Sequence, residues 1–400
     1  MKKETKKAPI IRFRGFTDDW EQRKVGEFYD FKNGLNKNKE FFGKGVPIVN
    51  FTDVFHNRGL TASQLEGKVT LEPNEIKNYS VEKGDIFFTR TSETIEEIGY
   101  PSVMLDTPEN TVFSGFVLRG RCLSGNEPLD NLFKQYVFFT QSFRDEMKKK
   151  SSMTTRALTS GTSIKEMLFH FPSSKNEQHQ IGKYITKFDN IITLHQRKLD
   201  HLKTLKKYFL QNMFPAKGKK VPRIRFKGFT GDWEQRKLGN ECFEIVAGGD
   251  VDKTKLLQDG KYPVIANALT DEGIIGYYAN EYRIKAPAVT VTGRGDVGHA
   301  RARKINFTPV VRLLSVVSKH DVDFLAELIN QNDIVLESTG VPQLTVPALA
   351  NYLLCFPPTI KEEKRIGQYF SQLNHLITLH QRKLEQLQSM KKFMLQNLFI

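Results

Sequence analysis

The sequence predicts an α+β protein in which two globular mixed α/β domains are separated by a long antiparallel two-helix coiled coil, with pseudo-twofold symmetry. Two duplications predict this architecture. Residues 11–24 return as residues 224–237, an offset of 213 residues, and residues 192–199 return as residues 377–384, an offset of 185 residues. Between these repeats the two halves match poorly. Repeated edges with divergent interiors are unlike a solenoid, whose short units stack on their neighbours. They indicate two half-molecules that share a frame and differ inside it.

Two long segments have the period of paired helices. Apolar or ring-bearing side chains recur at alternating steps of four and three, which is the seam of a coiled coil. The residues predicted to pair are Ile181, Phe188, Ile192, His195, Leu199 and Leu202 in the first helix and Phe370, Leu373, Ile377, His380, Leu384 and Leu387 in the second. His195 and His380 occupy matching positions, where a polar residue that fixes the register is favoured over a metal site.

The order of the segments sets the direction of the helices. We expect a first domain at residues 1–172, a central helix at 173–214, a second domain at 215–357 and a C-terminal helix at 358–400. Because each helix leaves one variable region and runs back towards the other, the helices are expected to be antiparallel. The repeated segment at residues 219–237 then follows the first helix as residues 6–24 follow the second, in a circular arrangement.

The interiors of the two domains predict mixed α/β structure. Short apolar runs opened by turn residues predict strands at residues 46–51, 84–89, 262–266 and 288–292. Strands, loops and short helices alternate without a regular βαβ rhythm, which argues against a doubly wound parallel sheet.

The composition favours a polyanionic partner. The 400 residues include 60 Lys and Arg against 45 Asp and Glu, a formal net charge of +15 at pH 7, and such an excess is typical of nucleic-acid binding. The three cysteines include no CxxC pair, so neither a disulfide framework nor a thiolate zinc site is expected. No apolar run approaches the roughly 18 residues that a membrane span needs. We therefore expect a soluble cytoplasmic protein without a membrane partner.

Sequence marks of nucleic-acid enzymes are weak. Residues 293–298 match GxGxxG after a predicted strand, but an alternating basic segment follows, and not the apolar helix of a dinucleotide site. Pro357-Pro358 lacks the acidic or amide residue of an amino-methyltransferase motif. The fragments Glu66-Gly67-Lys68 and Asp259-Gly260-Lys261 stand without the Pro-Asp dipeptide of a nuclease. Neither a catalytic nor a metal site is predicted.

The glycine loop is interpreted instead as a nucleic-acid contact. Arg294 follows the predicted strand at residues 288–292, and Arg90 follows the one at residues 84–89. The two arginines are therefore predicted to sit at comparable strand exits and to face the ligand, where cationic side chains contact phosphates or bases.

A further matched pair is Arg156 in the first half against residues 338–343 in the second. Arg156 could read guanine and Gln343 adenine, although either could also cap or cross-link locally. The full set of predicted DNA-binding residues is Thr89, Arg90, Thr91, Arg156, Gly293, Arg294, Gly295, Arg301, Arg303, Lys304 and Gln343.

The order and duplication of these segments resemble a known family. The repeated Gln-Arg-Lys-Leu at residues 196–199 and 381–384 lies in helices that follow Phe171-Pro172 and Phe356-Pro357-Pro358, with Glu177 and Glu362 near their starts. This arrangement, with Gly84-Asp85-Ile86 and the glycine loop inside the variable regions, resembles the specificity subunit of type I restriction–modification enzymes over essentially the whole chain.

The resemblance implies a division of labour with other subunits. Each variable region would be a target-recognition domain that reads one half of a split double-stranded DNA target. The helices would dock two methyltransferase subunits, which restriction/translocase subunits then join. S-adenosylmethionine, ATP and Mg would belong to those partners, so this chain would carry no cofactor and no catalysis.

Two other classes of function are weighed against this one. A coiled-coil structural or interaction protein with two globular protein-binding ends would explain the helices, but not the net charge with its arginine loops. A self-sufficient methyltransferase or nuclease would require activity from this chain alone.

Overall fold

The chain forms two compact units connected through two long helices. The structure is a computed structural model that describes residues 8–123, 127–332 and 342–400. Unit 1 comprises Met1–Leu194 and Leu384–Ile400, and unit 2 comprises His195–Lys383. Among the described residues, no helix is long and apolar enough to cross a membrane.

Unit 1 is a mixed α/β body. Its strands are β1 (Glu21–Lys24), β2 (Tyr29–Asn33), β3 (Phe42–Val49), β4 (Gly59–Leu60), β5 (Lys68–Val69), β6 (Ile86–Thr89), β7 (Thr91–Ser92), β8 (Pro101–Met104), β9 (Val112–Phe113), β10 (Val117–Cys122), β11 (Ser152–Met153), β12 (Ala157–Leu158) and β13 (Leu168–Phe171). Its helices are α1 (Phe51–His56), α2 (Pro73–Asn78), α3 (Asn131–Val137), α4 (Gln141–Lys150) and α5 (Gly161–Lys165), with 3-10 turns at Val25–Glu27, Lys39–Phe41 and Ala62–Gln64.

Strand β6 lies at the centre of unit 1. The main sheet has the order β2-β10-β6-β8-β4, flanked by the smaller sheets β5-β3-β9, β11-β12-β7 and β1-β13. All four residues of β6 are buried, which explains its unbroken apolar run, since a strand covered on both faces has no polar side. Phe133 and Phe138 pack with β6 in the main core.

A long helix, α6 (Lys175–Met213), leads out of unit 1. The strands that follow it are β14 (Glu234–Lys237), β15 (Cys242–Ala247), β16 (Tyr262–Ile265), β17 (Ile274–Tyr278), β18 (Ala288–Thr292), β19 (Ala300–Arg303), β20 (Thr308–Pro309), β21 (Leu313–Ser318) and β22 (Leu353–Phe356). The helices are α7 (Leu238–Glu241), α8 (Val322–Asn330), α9 (Val346–Ala350) and α10 (Ile360–Asn397), with 3-10 turns at Lys253–Lys255 and Thr270–Gly273.

Unit 2 repeats the plan of unit 1 in a reduced form. Its main sheet has the order β15-β21-β18-β19, beside β17-β16-β20 and β14-β22. All five residues of the central strand β18 are buried, like those of β6. The strands predicted at residues 46–51, 84–89, 262–266 and 288–292 are confirmed as β3, β6, β16 and β18; the last has the predicted ends, and the ends of the others differ by up to four residues.

The helices α6 and α10 are antiparallel, as predicted. In unit 1, Asp189 of α6 forms an ion pair with Lys391 of α10. In unit 2, the Nδ1 atoms of His195 and His380 are 2.9 Å apart, and the rings of Phe209 and Tyr369 lie 5.2 Å apart. As the residue numbers increase along α6, the numbers of their contact partners on α10 decrease, so the two helices run in opposite directions. The predicted fold class, two mixed α/β domains joined by long packed helices, is thereby confirmed.

The residues predicted to pair the helices lie on the covered side of each helix. Leu199 and Leu384 are 3% and 8% exposed, while Ile192, Ile377 and the two histidines are half-buried. The contribution of each to pairing stays a prediction.

The repeated segments clamp the ends of the helices in each unit. In unit 1 the guanidinium of Arg12 donates to both carboxylate oxygens of Glu177, at 2.7 and 2.9 Å. In unit 2 Arg225 does the same to Glu362, at 2.7 and 2.8 Å. Both glutamates are 1% exposed, and each bidentate ion pair raises the pKa of its arginine.

Backbone contacts show where each repeated segment begins. The Ile11 amide donates to the Asn397 carbonyl at the end of α10, and the Ile224 amide donates to the Asn212 carbonyl at the end of α6. Each copy therefore follows the end of one long helix, which confirms the predicted circular arrangement.

Candidate nucleic-acid interface

The predicted binding loop of unit 1 starts where β6 ends. The Thr89 amide donates to the Tyr100 carbonyl at 3.1 Å, and the Tyr100 amide donates back to the Thr89 hydroxyl at 2.8 Å. The Gly99 amide donates to the Thr89 carbonyl at 3.1 Å. These bonds close the loop at its base. Thr89, a predicted DNA contact, is fully buried and holds the loop.

Unit 2 closes its loop by the same three bonds. The Thr292 amide donates to the His299 carbonyl at 3.1 Å, and the Gly298 amide donates to the Thr292 carbonyl at 2.8 Å. The His299 amide donates to the Thr292 hydroxyl at 3.0 Å. Thr292 is thus the counterpart of Thr89, although the sequences of the two loops are poorly matched.

A tight turn lies against each strand exit on one side. In unit 1 the Arg90 amide donates to the Phe116 carbonyl at 2.9 Å, and in unit 2 the Gly293 amide donates to the Arg312 carbonyl at 3.0 Å. Arg90 therefore matches Gly293, and Arg294 matches the residue after Arg90. Both arginines lie at the exits of the buried strands, as predicted, but the hydrogen-bond register offsets them by one position, and a register between distant strands is not visible in either motif.

A third segment lies against the exit on the other side. The Thr159 amide donates to the Arg90 carbonyl at 3.0 Å, and the Leu344 amide donates to the Gly293 carbonyl at 2.8 Å. One residue earlier in each segment, Leu158 pairs with Thr91, and Gln343 forms a bridge with Arg294. Two residues predicted independently, Arg294 and Gln343, are thus brought together.

These contacts define one set of three positions in each unit, which we name the exit triplet. The exit triplet of unit 1 is Phe116, Thr91 and Leu158, and that of unit 2 is Arg312, Arg294 and Gln343. Phe116 and Leu158 are 58% and 40% exposed, Arg312 and Gln343 are exposed, and Thr91 and Arg294 are half-buried.

Sequence reasoning missed Phe116 and Arg312. Their neighbourhoods share no residue pattern, and only the hydrogen-bond register reveals that they match.

The glycine loop of unit 2 is fixed by a residue that the motif does not include. The Asn267 side chain accepts from the Gly293 amide at 2.7 Å and donates to the Arg294 carbonyl at 2.6 Å. A Cβ on Gly293 would lie 2.4 Å from the Arg312 carbonyl oxygen, so this close approach requires glycine. Gly295 has a φ of +75° with open space around it. The two glycines thus have different roles in the backbone path, a close approach at Gly293 and a left-handed conformation at Gly295.

Arg156 lies at the tip of the hairpin formed by β11 and β12. Its carbonyl accepts from the Thr154 amide at 3.2 Å, and the residue is exposed. Strand β12 pairs with β7, so the structure brings Arg156 close to the exit of β6. Of the segment matched with Arg156 in the sequence, residues 338–341 lie outside the described residues.

The three basic residues around β19 differ in their surroundings. Arg301 is exposed. The Arg303 side chain is 10% exposed and donates to the Thr290 hydroxyl and the Glu272 carbonyl, and burial lowers its pKa to about 10. The Lys304 side chain is 59% exposed, and its ammonium pairs with Asp323 at 2.7 Å. Arg301 and Lys304 therefore both reach solvent, whereas Arg303 does not.

Potential metal ligands do not cluster in the described ranges. No group of three or more His, Cys, Asp or Glu residues there could hold a metal ion. His195 and His380 form a pair without a third ligand of these types, and burial lowers the pKa of His380, with smaller contributions from the charges of Lys198 and His195.

Comparison with known proteins decides the family. The family model described as "Type I restriction modification DNA specificity domain" matches residues 17–204 and 230–389. The chain belongs to this family. Its two matched regions each contain one exit triplet, so the repeated geometry is that of a duplicated specificity domain.

Curated relatives of this specificity subunit are distant in sequence. A putative type I restriction enzyme MjaX specificity subunit of Methanocaldococcus jannaschii is 23% identical over 415 residues, which cover 94% of this chain and 91% of that protein. The type I restriction enzyme MjaIX specificity subunit of the same organism is 21% identical over 268 residues, 62% of this chain and 57% of that protein.

A solved structure shares the fold. The crystal structure of a type-I restriction-modification system S subunit from M. genitalium superposes with a TM-score of 0.69 at 14% identity, covering 98% of this chain and 99% of that chain. The specificity subunit is the non-catalytic member of type I restriction–modification complexes, and no cofactor is expected on it.

Proposed function

We propose that this chain reads a split, asymmetric double-stranded DNA target and assembles a methyltransferase around it. Residues 1–172 and 215–357 are the two target-recognition domains of the proposal, and each reads one half-site. The observation that carries the proposal is the exit triplet: one hydrogen-bond frame recurs in both units and holds different side chains.

The chemistry of the triplets supports unequal half-sites. The unit 2 triplet offers two guanidinium groups and an amide, which suit guanine and adenine edges in the major groove. The unit 1 triplet offers a phenyl ring and an isobutyl group beside a threonine, which suit apolar contact such as the thymine methyl. Two readers on one face of B-DNA have centres about 10 base pairs apart. Half-sites of a few base pairs then leave an unread gap between them.

The net charge supports the rest of the affinity. Phosphate contacts by Lys and Arg position a protein on duplex DNA without reading its sequence. We assign the exposed Arg156 and Arg301 to such contacts, whereas Arg303 is bonded to Thr290 inside the unit and Lys304 shares its charge with Asp323 at the surface.

The outer faces of the helices support the docking of two methyltransferase subunits. In unit 1, Ile191 and Leu194 of α6 are 42% and 65% exposed. In unit 2, the matching residues of α10, Leu376 and Leu379, are 41% and 53% exposed. Exposed apolar clusters on a helix face mark protein-binding surfaces. Because the cluster occurs once on each long helix, two copies of one partner would find equivalent sites.

The other subunits of the proposed complex supply its catalysis and its cofactors. Restriction/translocase subunits join the methyltransferase core, and S-adenosylmethionine, ATP and Mg stay on those partners. The complex would work in the cytoplasm, where its DNA target is.

Binding to duplex DNA with the methyltransferase present tests the function against a protein-binding rod, which the exposed leucines alone would also suit. We expect binding that weakens steeply with salt, because counterion release dominates phosphate contacts. A complex that assembles with the methyltransferase but ignores duplex DNA at all salt concentrations would favour the rod.

A further inference from the structure

Arg312 has a backbone conformation that an arginine rarely adopts. Among the described non-glycine residues, positive φ occurs at Asn110, Asp271, Glu272 and Arg312, and the Arg312 φ of +74° is the largest. Arg312 is the third residue of the β-turn that Leu313 closes by donating its amide to the Val310 carbonyl at 3.1 Å. When this position has a positive φ, glycine is the residue that fits it without strain. Strain held at one residue points to a function for its side chain.

The surroundings of Arg312 keep the turn in place. Its carbonyl accepts from the Gly293 amide at 3.0 Å. The two backbones approach so closely that a side chain on Gly293 would clash with the Arg312 carbonyl. The arginine is nevertheless exposed, and among the described residues no carboxylate forms a salt bridge with it. A guanidinium without a salt bridge in this part of the chain, carried on a turn that backbone hydrogen bonds hold, is available to a fixed target.

The exit triplet of unit 2 has the dimensions of a short run of bases. Neighbouring hydrogen-bonded segments lie about 4.8 Å apart, so the outer members, Arg312 and Gln343, are carried by segments separated by roughly 10 Å. Base steps along B-DNA are about 3.4 Å each. The triplet therefore spans roughly three base steps, with Arg312 at one end.

We propose that Arg312 is a specificity-determining residue that reads one guanine, through its N7 and O6 acceptors, in the half-site of unit 2. Bidentate pairing with these acceptors is the commonest specific contact of arginine in the major groove. Phe116 occupies the matching position in unit 1, so the half-site of unit 1 is read there by apolar contact. This inference rests on the proposed function and adds to it the residue and the base.

The strain provides a test that separates reading from a structural role. Arg312→Gly removes the guanidinium and relieves the left-handed strain, so the melting temperature should rise. In the complex with the chain's own methyltransferase, methylation of a DNA library with randomised half-sites should lose the preference for one guanine by about 10- to 100-fold. All other positions should keep theirs. Arg312→Asn, which tolerates the left-handed region, should relax the same position.

Matched variants make the result specific. Asp271→Gly relieves strain at another left-handed, exposed position; it should also raise the melting temperature and leave the motif unchanged. Phe116→Ala should alter only the other half-site.

Two results would overturn the inference. An Arg312→Gly complex that binds all sequences more weakly, with the motif intact and a shallower salt dependence, would make Arg312 a phosphate contact. An unchanged motif with unchanged affinity would leave it without a role in DNA recognition. The failure of the proposed function looks different, because the wild-type complex would then show no split motif at all.

Discussion

The two units of this chain share hydrogen bonds and differ in side chains. Thr89 and Thr292 close their loops by the same three bonds, and the repeated arginines, Arg12 and Arg225, each bind the matching glutamate of their own unit. On this common frame, two of the three side chains of the exit triplet are apolar in unit 1, and all three are polar in unit 2. The backbone register is therefore what the two units share, while the exposed side chains on it differ, as the proposed reading of two unequal half-sites requires.

Exchanging the variable region of one unit should have the strongest consequence. Replacing residues 27–160 with the corresponding segment of another specificity subunit should change one half-site completely and leave the other as it was. The modified motif of the resulting methyltransferase complex measures this. A change in both half-sites would show that the units do not read independently.

The next comparison concerns the docking surfaces of the two helices. Leu194→Glu together with Leu379→Glu should abolish assembly with the methyltransferase, because a charge replaces exposed apolar surface at both equivalent sites. Either single variant should reduce the number of bound methyltransferase subunits from two to one, as measured by mass photometry. The exposed Gln196→Glu is the control and should assemble fully. A single variant that removes both copies would contradict two equivalent sites.

The clamps can be compared by removing each arginine. Arg12→Ala and Arg225→Ala each leave a buried carboxylate without its cation, which we expect to cost about 3 kcal/mol in the free energy of unfolding. Trp20 still donates to Glu177 at 3.4 Å, whereas the Trp233 indole nitrogen is buried without a partner among the described residues.

The Arg225 variant should therefore lose more stability than the Arg12 variant, by about 1 kcal/mol. Urea unfolding followed by circular dichroism measures the difference. Arg23→Ala, which removes exposed ion pairs, is the control and should change little. Equal losses in the two clamp variants would show that the Trp20 bond contributes nothing.

Both loop bases should weaken when the threonine hydroxyl is removed. Thr89→Val and Thr292→Val keep the shape of the side chain but leave a loop amide without its acceptor. Each should cost about 1–2 kcal/mol in the free energy of unfolding, and Thr292→Val should cost the more, because its hydroxyl also donates to the Asp296 carbonyl. Thermal unfolding of the two variants measures both losses, and a loss confined to one unit would mean that the common frame is not important in both.

The smallest effect is the pH dependence of the helix pair. Burial, and then the nearby positive charges, lower the pKa of His380 below its ordinary value of 6.5. A base whose folded pKa is lowered contributes full stability above the ordinary value and loses it as the pH falls through the lowered one. Stability should therefore decline below pH 6.5, and His380→Leu should remove that part of the decline. An identical pH profile in the variant would assign the dependence to other groups.

The helices and the frame could be predicted from sequence, and the exit triplets could not. The coiled-coil seam that includes Leu199 and Leu384 repeats at alternating steps of four and three residues, so local periodicity in the sequence reveals it. The match of Phe116 with Arg312 depends on which strands become neighbours across long separations, and no shared residue signals it. The surroundings of Arg303 could not be predicted either, because the bonds that its side chain donates to Thr290 and Glu272 join residues far apart in the sequence.

The most direct test of the account is the modified motif in the genome of cells that carry this chain with its methyltransferase, read by single-molecule sequencing. The account predicts a split motif with two unequal half-sites whose centres are about 10 base pairs apart. A contiguous or palindromic motif would contradict the claim that two different readers are held on one frame.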